Sequence, residues 1–375
     1  MKIVINAFSA RLGGGQTYLI NLLKYIPLDE DLSIIVLAPA DLKLPEHPAI
    51  SRYAPPYSLN NPLVRTVWEK YLLPDYLRKV KADVLFCPGG VVATKAPVGC
   101  KVVTMFRNMI PFDKRVLGYI PFGLQRIRCW LLYHAMLRSM SRADLTIFIS
   151  DFARGVIEKL TTIPNAVTIP HGIGEVFRTF EKRLPRPGRL PTESYMLYVS
   201  RFDVYKHHYE VVSAYAKLPA EYRERYYLVL IGESDMPGAD RVHELIKNLG
   251  LSERIIIMGA VPYDELPSYY HHAELALFAS SCENCPNIML EALGAGRPVL
   301  SSNVMPMPEF GAQAAEYFSP FDADDISRAM STVLSDADYA RRLAEAAALQ
   351  CQKFDWSKTA ASTWAEIFKL VAYAK

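Results

Sequence analysis

Short apolar segments that alternate with helix-forming segments are the feature that most restricts the fold of this chain. Such alternation is typical of α/β folds, in which helices cover a sheet of parallel strands. The pattern occurs twice, once in each half, so we predict two doubly wound domains. The predicted strands cover residues 3–6, 33–38, 84–86, 101–105 and 144–149 in the first half, and 196–200, 227–231, 255–258, 275–279 and 298–301 in the second.

The size of the chain also favours two domains. Its 375 residues, 51% of them hydrophobic, exceed the usual size of one domain and can bury large cores. Residues 180–191 are rich in proline and cations and lack periodicity, which is typical of a linker. We therefore predict a first domain at residues 1–179, a second at 180–355, and a final helix within 356–375, where apolar side chains recur at helical spacing.

Two carboxylates separated by seven residues, Glu283 and Glu291, lie across a predicted strand-to-helix turn. Pro286 is well tolerated in the first turn of a helix, so we expect this helix to begin at about residue 285. Its free amides, those of Asn287 and Ile288, would then form a diphosphate site. One carboxylate can accept hydrogen bonds from a sugar and the other from a ribose, which suits a sugar nucleotide. The alternative is that both glutamates are ordinary surface residues.

A second strand-to-helix loop carries two cations, Arg201 and Lys206. The preceding strand is predicted to end at Ser200, and a helix to resume near His208. Ligands of open parallel sheets bind beyond the carboxyl ends of the strands, so these cations and the Glu283 loop can converge on one crevice. Cations in that position can neutralise a departing diphosphate.

These motifs, in this order and spacing, resemble the retaining glycosyltransferases of family 4. Members of that family have the GT-B fold, in which two Rossmann-like domains face each other across a cleft. The resemblance covers nearly the whole chain. It rests on a glycine-rich loop, a Pro-His-Gly run, the two cations, the Glu-x7-Glu motif and two later segments, at residues 13–15, 169–173, 201–206, 283–291, 307–309 and 354–360.

The resemblance implies a role for each motif. Arg201 and Lys206 would hold the donor diphosphate, Glu283 would contact the transferred sugar, and Glu291 would hold the nucleotide ribose. Backbone groups near Val261 would read the donor base. The first domain would face the acceptor, the second would bind the donor, and the last helix would cross back to the first domain.

The reaction that the resemblance implies is transfer of a hexose from a nucleotide diphosphate sugar to a hydroxyl of a glycan or lipid-linked glycan. The configuration of the sugar would be retained. GDP-mannose is our first choice of donor and a UDP-sugar the alternative, and the setting would be bacterial surface-polysaccharide assembly. No cofactor other than this co-substrate is expected. Two rival functions are a GT-B scaffold that binds a glycan or partner enzyme without catalysis, and a sugar-nucleotide epimerase, which would need no acceptor.

The glycine-rich loop follows a strand and precedes a helix predicted for residues 16–25. A dinucleotide-binding fingerprint would need a further glycine at position 16 or 18, where Gln16 and Tyr18 stand. We therefore expect Gly14 and Gly15 to let the backbone approach the donor's phosphate or sugar from the opposite domain. The alternative is a plain flexible loop.

The chain departs from the family pattern after the predicted strand 101–105. Many members carry His-Asp there, with the histidine near the donor sugar, whereas this sequence has Arg107 and Asn108. A fixed guanidinium could neutralise developing phosphate charge or bind an anionic acceptor, so Arg107 is a candidate catalytic residue. The alternative is that Arg107 pairs with a carboxylate.

Residues 101–142 are strongly basic. They contain eight Lys and Arg but one acidic residue, Asp113, in a chain whose net charge is +3. Aromatic and aliphatic residues are interleaved with these cations, as in helices that lie on anionic membranes. The alternative is a solvated face over a Rossmann core. Nucleic acid is not expected as a partner, because no recognition motif accompanies the charge.

The cysteines indicate the compartment. The six cysteines have no regular spacing, and the chain begins with one lysine and a short strand where a signal peptide would have a longer apolar run. No segment approaches the ~20 apolar residues of a membrane-spanning helix. We therefore expect a cytoplasmic protein, with contact to the inner face of the cytoplasmic membrane as a further option.

No metal site is predicted. Cys282 and Cys285 form a lone pair, whereas a structural zinc site usually needs a second pair, so we interpret them as shaping their loop. The adjacent histidines 207–208 and 271–272 would point apart on any regular element, which does not suit shared metal ligation.

Overall fold

A computed structural model describes residues 1–10, 13–27, 31–55, 59, 61–180, 182–235 and 238–372. The chain forms two compact units. One comprises Met1–Gly172 together with Trp356–Lys375, and the other is Ile173–Asp355. Each unit contains a parallel sheet with helices between the strands, so the predicted pair of doubly wound α/β domains is confirmed.

The first unit is built on a seven-stranded parallel sheet with the order β3-β2-β1-β4-β5-β6-β7. The central strands are almost entirely buried, because a parallel sheet is covered on both faces. The strands are β1 (Lys2–Asn6), β2 (Ser33–Leu37), β3 (Ile50–Tyr53), β4 (Val84–Cys87), β5 (Lys101–Phe106), β6 (Leu145–Phe148) and β7 (Ala166–Thr168).

Helices α2 (Pro62–Tyr71) and α6 (Asp151–Glu158) of the first unit begin at residues whose side chains cap the helix. The Asn61 side chain accepts a hydrogen bond from the Leu63 amide at 2.8 Å, and the Ser150 hydroxyl accepts one from Ala153 at 3.2 Å. The helices are α1 (Gly14–Lys24), α2 (Pro62–Tyr71), α3 (Leu73–Val80), α4 (Lys114–Tyr119), α5 (Leu124–Met140) and α6 (Asp151–Glu158).

The second unit is built on a six-stranded parallel sheet with the order β10-β9-β8-β11-β12-β13. Strands β8 and β11 are neighbours although they are far apart in sequence, with Leu275 opposite Met196. The strands are β8 (Ser194–Val199), β9 (Tyr226–Ile231), β10 (Ile255–Gly259), β11 (Leu275–Phe278), β12 (Val299–Ser302) and β13 (Glu316–Phe318). The loops that follow β8 and β11 therefore emerge side by side.

Eight helices of the second unit connect or follow these strands within the described residues. As predicted, the first of them begins at His208. The helices are α7 (His208–Ala216), α8 (Ala220–Arg225), α9 (Ala239–Asn248), α10 (Leu266–His271), α11 (Asn287–Gly294), α12 (Met307–Gly311), α13 (Ala323–Ser335) and α14 (Ala337–Gln350).

The last helix, α15 (Trp356–Ala372), belongs to the first unit. Trp364 is fully buried there, and its indole Nε1 donates a hydrogen bond to the Leu22 carbonyl at 3.1 Å. The Tyr18 and Thr363 hydroxyls lie 3.4 Å apart. Residues 373–375 of the predicted helix lie outside the described residues.

The division between the units lies at residue 172 rather than at the predicted 179. Ile173 forms a parallel bridge with Asp355, and Phe177 is fully buried in the core of the second unit. The predicted linker at residues 180–191 follows these contacts and lies within the second unit, where the Arg189 guanidinium donates to the Met258 carbonyl at 3.2 Å. Two apolar residues thus join the second core before the proline-rich segment begins.

Three strands were not predicted from the sequence, namely β3, β7 and β13. Each lies at the edge of its sheet and is three or four residues long. Edge strands are partly exposed, so they lack the continuous apolar run by which central parallel strands are recognised.

Candidate functional site

An ion pair between Lys206 and Glu283 links the loops that follow β8 and β11. The two side chains are only 9% and 17% exposed. The loops are further joined by the Ser281 amide, which donates to the Tyr205 carbonyl at 2.9 Å. Burial of either charge alone would be costly, so each ion stabilises the other in this position. The structure therefore brings together two of the side chains that the sequence motifs singled out.

His207 gives the first loop an unusual backbone. Its φ of 53° lies in the left-handed region, which residues other than glycine rarely adopt. Its ring Nε2 lies within hydrogen-bond distance of the Ser281 hydroxyl, at 2.8 Å, and its Nδ1 lies 3.4 Å from a Glu210 carboxylate oxygen without forming a hydrogen bond to it. These contacts stabilise the turn that directs Lys206 towards Glu283.

The neighbouring His208 has a different surrounding. It stacks on Phe202 with ring centroids 4.0 Å apart, and Tyr198 stacks with it at 4.7 Å. Burial lowers the pKa of His208 to about 3, so the ring is neutral at physiological pH. His208 thus packs the start of α7 against β8.

Arg201 lies in the same loop as Lys206 but is much more exposed. It pairs with Glu233 at 3.2 Å, and both side chains are 56% exposed. Glu233 follows β9, the other neighbour of β8, and the sequence motifs had not indicated it. Lys206 is therefore buried in its ion pair, whereas Arg201 forms an ion pair that is exposed to solvent.

The start of α11 corrects three sequence-based expectations. The helix begins at Asn287 rather than at about residue 285, and Pro286 is its N-cap rather than part of its first turn. The Asn287 amide, predicted to be free, donates to the Cys285 carbonyl at 3.0 Å. The first intrahelical bond runs from the Leu290 amide to the Pro286 carbonyl, so the amides of Ile288 and Met289 precede it. The positive end of the helix dipole therefore centres on residues 288–289.

Glu291 is buried, with 7% of its surface exposed, so the alternative of a solvated helix face is wrong for this residue. The Tyr263 hydroxyl donates a hydrogen bond to Glu291 Oε1 at 2.7 Å. Burial raises the pKa of the Glu291 carboxyl to about 7, while the hydrogen bond from Tyr263 opposes this rise. Tyr263 lies in the loop after β10 that also carries Val261, and no sequence motif pointed to it.

In the first unit the structure brings Arg107 to the glycine-rich turn. Gly13 has a φ of +60°, which favours glycine, and α1 begins at Gly14. A Cβ at Gly15 would lie 3.6 Å from an Arg107 guanidinium nitrogen. The Arg107 guanidinium carbon lies 5.6 Å from the centre of the Tyr18 ring.

Asn108 and His171 have more local contacts in the same unit. The Asn108 side chain accepts a hydrogen bond from the Ile110 amide at 3.1 Å and so stabilises a 3₁₀ turn at Ile110–Phe112. The buried His171, from the Pro-His-Gly run, packs between the rings of Tyr18 and Trp356 at 5.4 and 5.3 Å. Of the two residues that replace the family's His-Asp, Arg107 is therefore the one beside the glycine-rich turn.

The six cysteines form no disulfide, and Cys282 is buried in the loop after β11. Within the part of the chain that the structure describes, no three His, Cys, Asp or Glu side chains cluster as metal ligands would. In the same part of the chain, no helix combines the length and the apolar character needed to cross a membrane.

Both halves of the sequence match family models. Residues 12–175 match the model described as Glycosyltransferase Family 4, and residues 180–350 match Glycosyl transferases group 1. The two matched segments correspond closely to the first and second units.

Relatives and solved structures agree with these matches. The serotype-specific mannosyltransferase WbdA of Escherichia coli is 31% identical over 69% of this chain and 32% of its own length. The O-antigen chain mannosyltransferase B of E. coli is 30% identical over 60% of each chain. This chain therefore spans about a third of the length of WbdA and three fifths of that of mannosyltransferase B.

A crystal structure of Anabaena HepE in complex with UDP and glucose resembles the present fold with a TM-score of 0.71. The match covers 98% of this chain and 100% of HepE at 16% identity, so it bears on the fold alone. With both units matched by glycosyltransferase models and both sheets of the expected kind, this chain belongs to the family 4 glycosyltransferases with the GT-B fold.

Proposed function

We propose that this protein transfers a hexose, with retention of configuration and without a metal ion, from a nucleotide diphosphate sugar to a hydroxyl of a growing glycan or lipid-linked glycan. One observation carries the proposal. The buried Lys206–Glu283 pair joins the carboxyl ends of two adjacent parallel strands, β8 and β11, and the buried Glu291 lies on the helix that follows. Ligands of doubly wound sheets bind at this end of the strands.

The diphosphate would be held by Lys206, Arg201 and the amides at the start of α11. An ammonium has three N–H donors, so Lys206 can donate to Glu283 and to a phosphate oxygen at the same time. The amides of Ile288 and Met289 supply the positive end of the helix dipole. These groups would stabilise the negative charge that grows on the leaving oxygen in the transition state.

In the proposed step, the bond from the anomeric carbon to the phosphate oxygen breaks and a bond to the acceptor oxygen forms on the same face. The acceptor proton passes to the leaving phosphate. Glu283 would orient the sugar by accepting hydrogen bonds from its hydroxyls. Lys206 would hold the carboxylate in place meanwhile, since it already contacts one carboxylate oxygen. A covalent mechanism of the hydrolase type would need a second carboxylate about 5 Å away.

The donor sugar and the setting are proposed from the relatives. Two E. coli relatives are named mannosyltransferases, and one is named for the O-antigen chain. These names support mannose as the transferred sugar and surface-polysaccharide assembly as the process. Since HepE was crystallised with UDP and glucose, a UDP-sugar is the alternative to GDP-mannose. Arg107, Gly14 and Gly15 stay candidates for contact with donor phosphate or an anionic acceptor.

The test is release of free nucleotide from a panel of uridine, guanosine, thymidine and adenosine diphosphate sugars, with a chelator present. Slow hydrolytic release from one donor by the wild type, lost in Glu283→Ala, would support a metal-independent transferase and identify its donor. Conversion of the donor sugar without nucleotide release would favour the epimerase. Neither release nor stabilisation by any donor, even with mixed glycan acceptors added, would favour the non-catalytic scaffold.

The exposed Arg201–Glu233 pair gives a separate prediction. Glu233→Gln is expected to tighten binding of the nucleotide sugar by about threefold to tenfold, because Arg201 no longer has a competing carboxylate. Stability should change by less than about 1 kcal/mol, since exposed ion pairs contribute little. Calorimetric titration and thermal unfolding measure the two effects. Asp338→Asn, which removes the carboxylate from the exposed Arg341–Asp338 ion pair of the same unit, serves as the matched control, and weaker donor binding by Glu233→Gln than by this control would contradict the assigned role of Arg201.

We also propose that the first unit contacts an anionic membrane through α4, α5 and the segment between them. Six large apolar side chains of this basic stretch are at least half exposed, including Phe122 at 90% and Leu124 at 87%. A cavity of about 480 Å³ adjoins them, where Lys114 and Arg126 lie beside Trp130 and Leu117. Exposed apolar side chains among cations suit a lipid surface better than a solvated face.

Vesicle sedimentation tests this contact. Binding to vesicles with phosphatidylglycerol should exceed binding to pure phosphatidylcholine and should fall with salt. Arg126→Gln is expected to weaken binding by about fivefold, and the double variant Phe122→Ser, Leu124→Ser by about tenfold or more. Leu349→Ser, at an exposed leucine of the second unit, is the control. Equal binding by all variants would contradict the proposed surface.

A further inference from the structure

Tyr263 occupies a position that no sequence motif identified. It lies in the loop after β10, and its hydroxyl donates to Glu291 Oε1 at 2.7 Å. Its ring packs edge-on against the buried Phe177, with centroids 5.1 Å apart at 62°. The side chain is 50% exposed although the carboxylate that it contacts is only 7% exposed. Tyr263 therefore has one edge against Glu291 and another towards solvent.

The charge of Glu291 depends on few neighbours. Among the described residues the two titratable groups that face it are Tyr263, from the loop after β10, and Tyr270, from α10. Neither is a cation, so burial dominates and raises the pKa of Glu291 to about 7. The hydrogen bond from Tyr263 favours the ionised form, since a donor stabilises the carboxylate more than the acid.

We infer that Tyr263 is a positioning residue for the nucleotide site, which fixes the direction of the Glu291 carboxylate through its hydroxyl hydrogen bond and presents its ring beside the ribose. The inference rests on the proposed function, in which Glu291 accepts hydrogen bonds from the ribose hydroxyls. A protonated carboxyl is a poorer acceptor than a carboxylate. Binding of a nucleotide sugar should therefore strengthen as pH rises through about 7, and the position of this rise should depend on Tyr263.

The experiment measures the dissociation constants of GDP-mannose and UDP-glucose by calorimetry between pH 5.5 and 9. Nucleotide sugars are used because their diphosphate is esterified at both ends and lacks the terminal phosphate that titrates near pH 6. The variants are Tyr263→Phe, Glu291→Gln and the control Tyr317→Phe. Tyr317 also donates a hydroxyl hydrogen bond in the second unit, to the Ala312 carbonyl at 2.9 Å.

Three results are expected for the better-binding donor. Wild type and Tyr317→Phe should bind more tightly with rising pH and level off above about pH 7. Tyr263→Phe should shift this rise to higher pH, with affinity about tenfold weaker at pH 6.5 and a smaller deficit at pH 9. Glu291→Gln should bind weakly and without this pH dependence, which isolates the contribution of the carboxyl group from that of other titrating groups.

A second readout does not depend on ligand binding. The infrared band of the protonated Glu291 carboxyl, identified by its loss in Glu291→Gln, reports the titration directly. Its midpoint should rise in Tyr263→Phe and stay unchanged in Tyr317→Phe. An unchanged midpoint in Tyr263→Phe, or an equal loss of affinity at every pH, would overturn the inference. Binding by the wild type without pH dependence would overturn it and leave the proposed function standing, whereas no binding of any nucleotide sugar would remove both.

Discussion

Replacing Lys206 by methionine is expected to lower the turnover number by about 10²–10³-fold, the usual effect of removing one group that stabilises transition-state charge. The ammonium is nearly buried beside Glu283, at the carboxyl ends of β8 and β11, where the diphosphate would lie. Its interaction should strengthen as charge accumulates on the leaving oxygen, so kcat should fall more than donor affinity. Steady-state kinetics with the donor identified by the nucleotide-release panel measures both.

The control must separate lost catalysis from a disturbed fold. Lys206→Met alone leaves Glu283 without its cation, so thermal unfolding of this variant beside the double variant Lys206→Met, Glu283→Gln measures how far the unpaired carboxylate disturbs the fold. Lys217→Met removes a lysine from another ion pair of the same unit, with Asp324 at 2.6 Å, and should retain activity. Turnover of Lys206→Met within about threefold of the wild type, in a folded protein, would contradict the proposed role.

Replacing Glu291 by glutamine is expected to have opposite effects on stability and on binding. Burial raises the pKa of this carboxyl from 4.5 to about 7 in the folded protein. The native state therefore holds the proton more tightly than the unfolded state, and stability falls as pH rises from about 4.5 to 7. The total loss is about 3 kcal/mol above pH 7, because one pKa unit corresponds to about 1.4 kcal/mol.

Glutamine has no charge to bury and keeps an oxygen that can accept the Tyr263 hydrogen bond. The midpoint of thermal unfolding should therefore rise by several degrees at pH 8.5 and stay nearly unchanged at pH 5. Donor affinity at pH 8.5 should fall by about tenfold or more, since a charged acceptor is lost. Differential scanning calorimetry and calorimetric titration measure the two effects.

Glu316→Gln is the matched control for this result. Glu316 also accepts a tyrosine hydrogen bond, from Tyr339 at 2.6 Å, but it pairs in addition with Arg328 at 2.8 Å. Because its charge has a cationic partner, removing that charge should lower stability at pH 8.5 and leave donor affinity unchanged. A lower stability of Glu291→Gln than of wild type at pH 8.5 would contradict the buried, unpaired state assigned to Glu291.

The Lys206–Glu283 pair and Glu291 differ in how their buried charge is compensated. The Lys206–Glu283 pair is internally compensated, so it can be buried at neutral pH. Within the described part of the chain, Glu291 has the Tyr263 hydroxyl as its partner and no cation, so burial of its charge costs free energy that hydrogen bonds from a ligand's hydroxyl groups can recover. The stability lost at Glu291 is what we expect of a site that is completed by its substrate.

The sequence predicted the central strands better than the edges and the boundary. Strands such as β8 and β11 are buried on both faces, so apolar runs revealed them. The boundary was misplaced because proline and charge marked residues 180–191, whereas the burial of Ile173 and Phe177 set the actual division. A change in composition marks a segment that looks irregular, whereas side-chain packing decides to which core that segment belongs.

For the candidate site, the sequence by itself determined which residues are candidates and that Lys206 and Glu283 follow strands of one parallel sheet. Strand periodicity and the ends of parallel strands are local properties, so spacing along the chain is enough to predict them. Only the tertiary structure decided that Lys206 pairs with Glu283, that Glu233 holds Arg201, and that Tyr263 holds Glu291. Such partners come from elements far apart in sequence, and the burial that gives them their energetic effect exists only once the sheet has assembled.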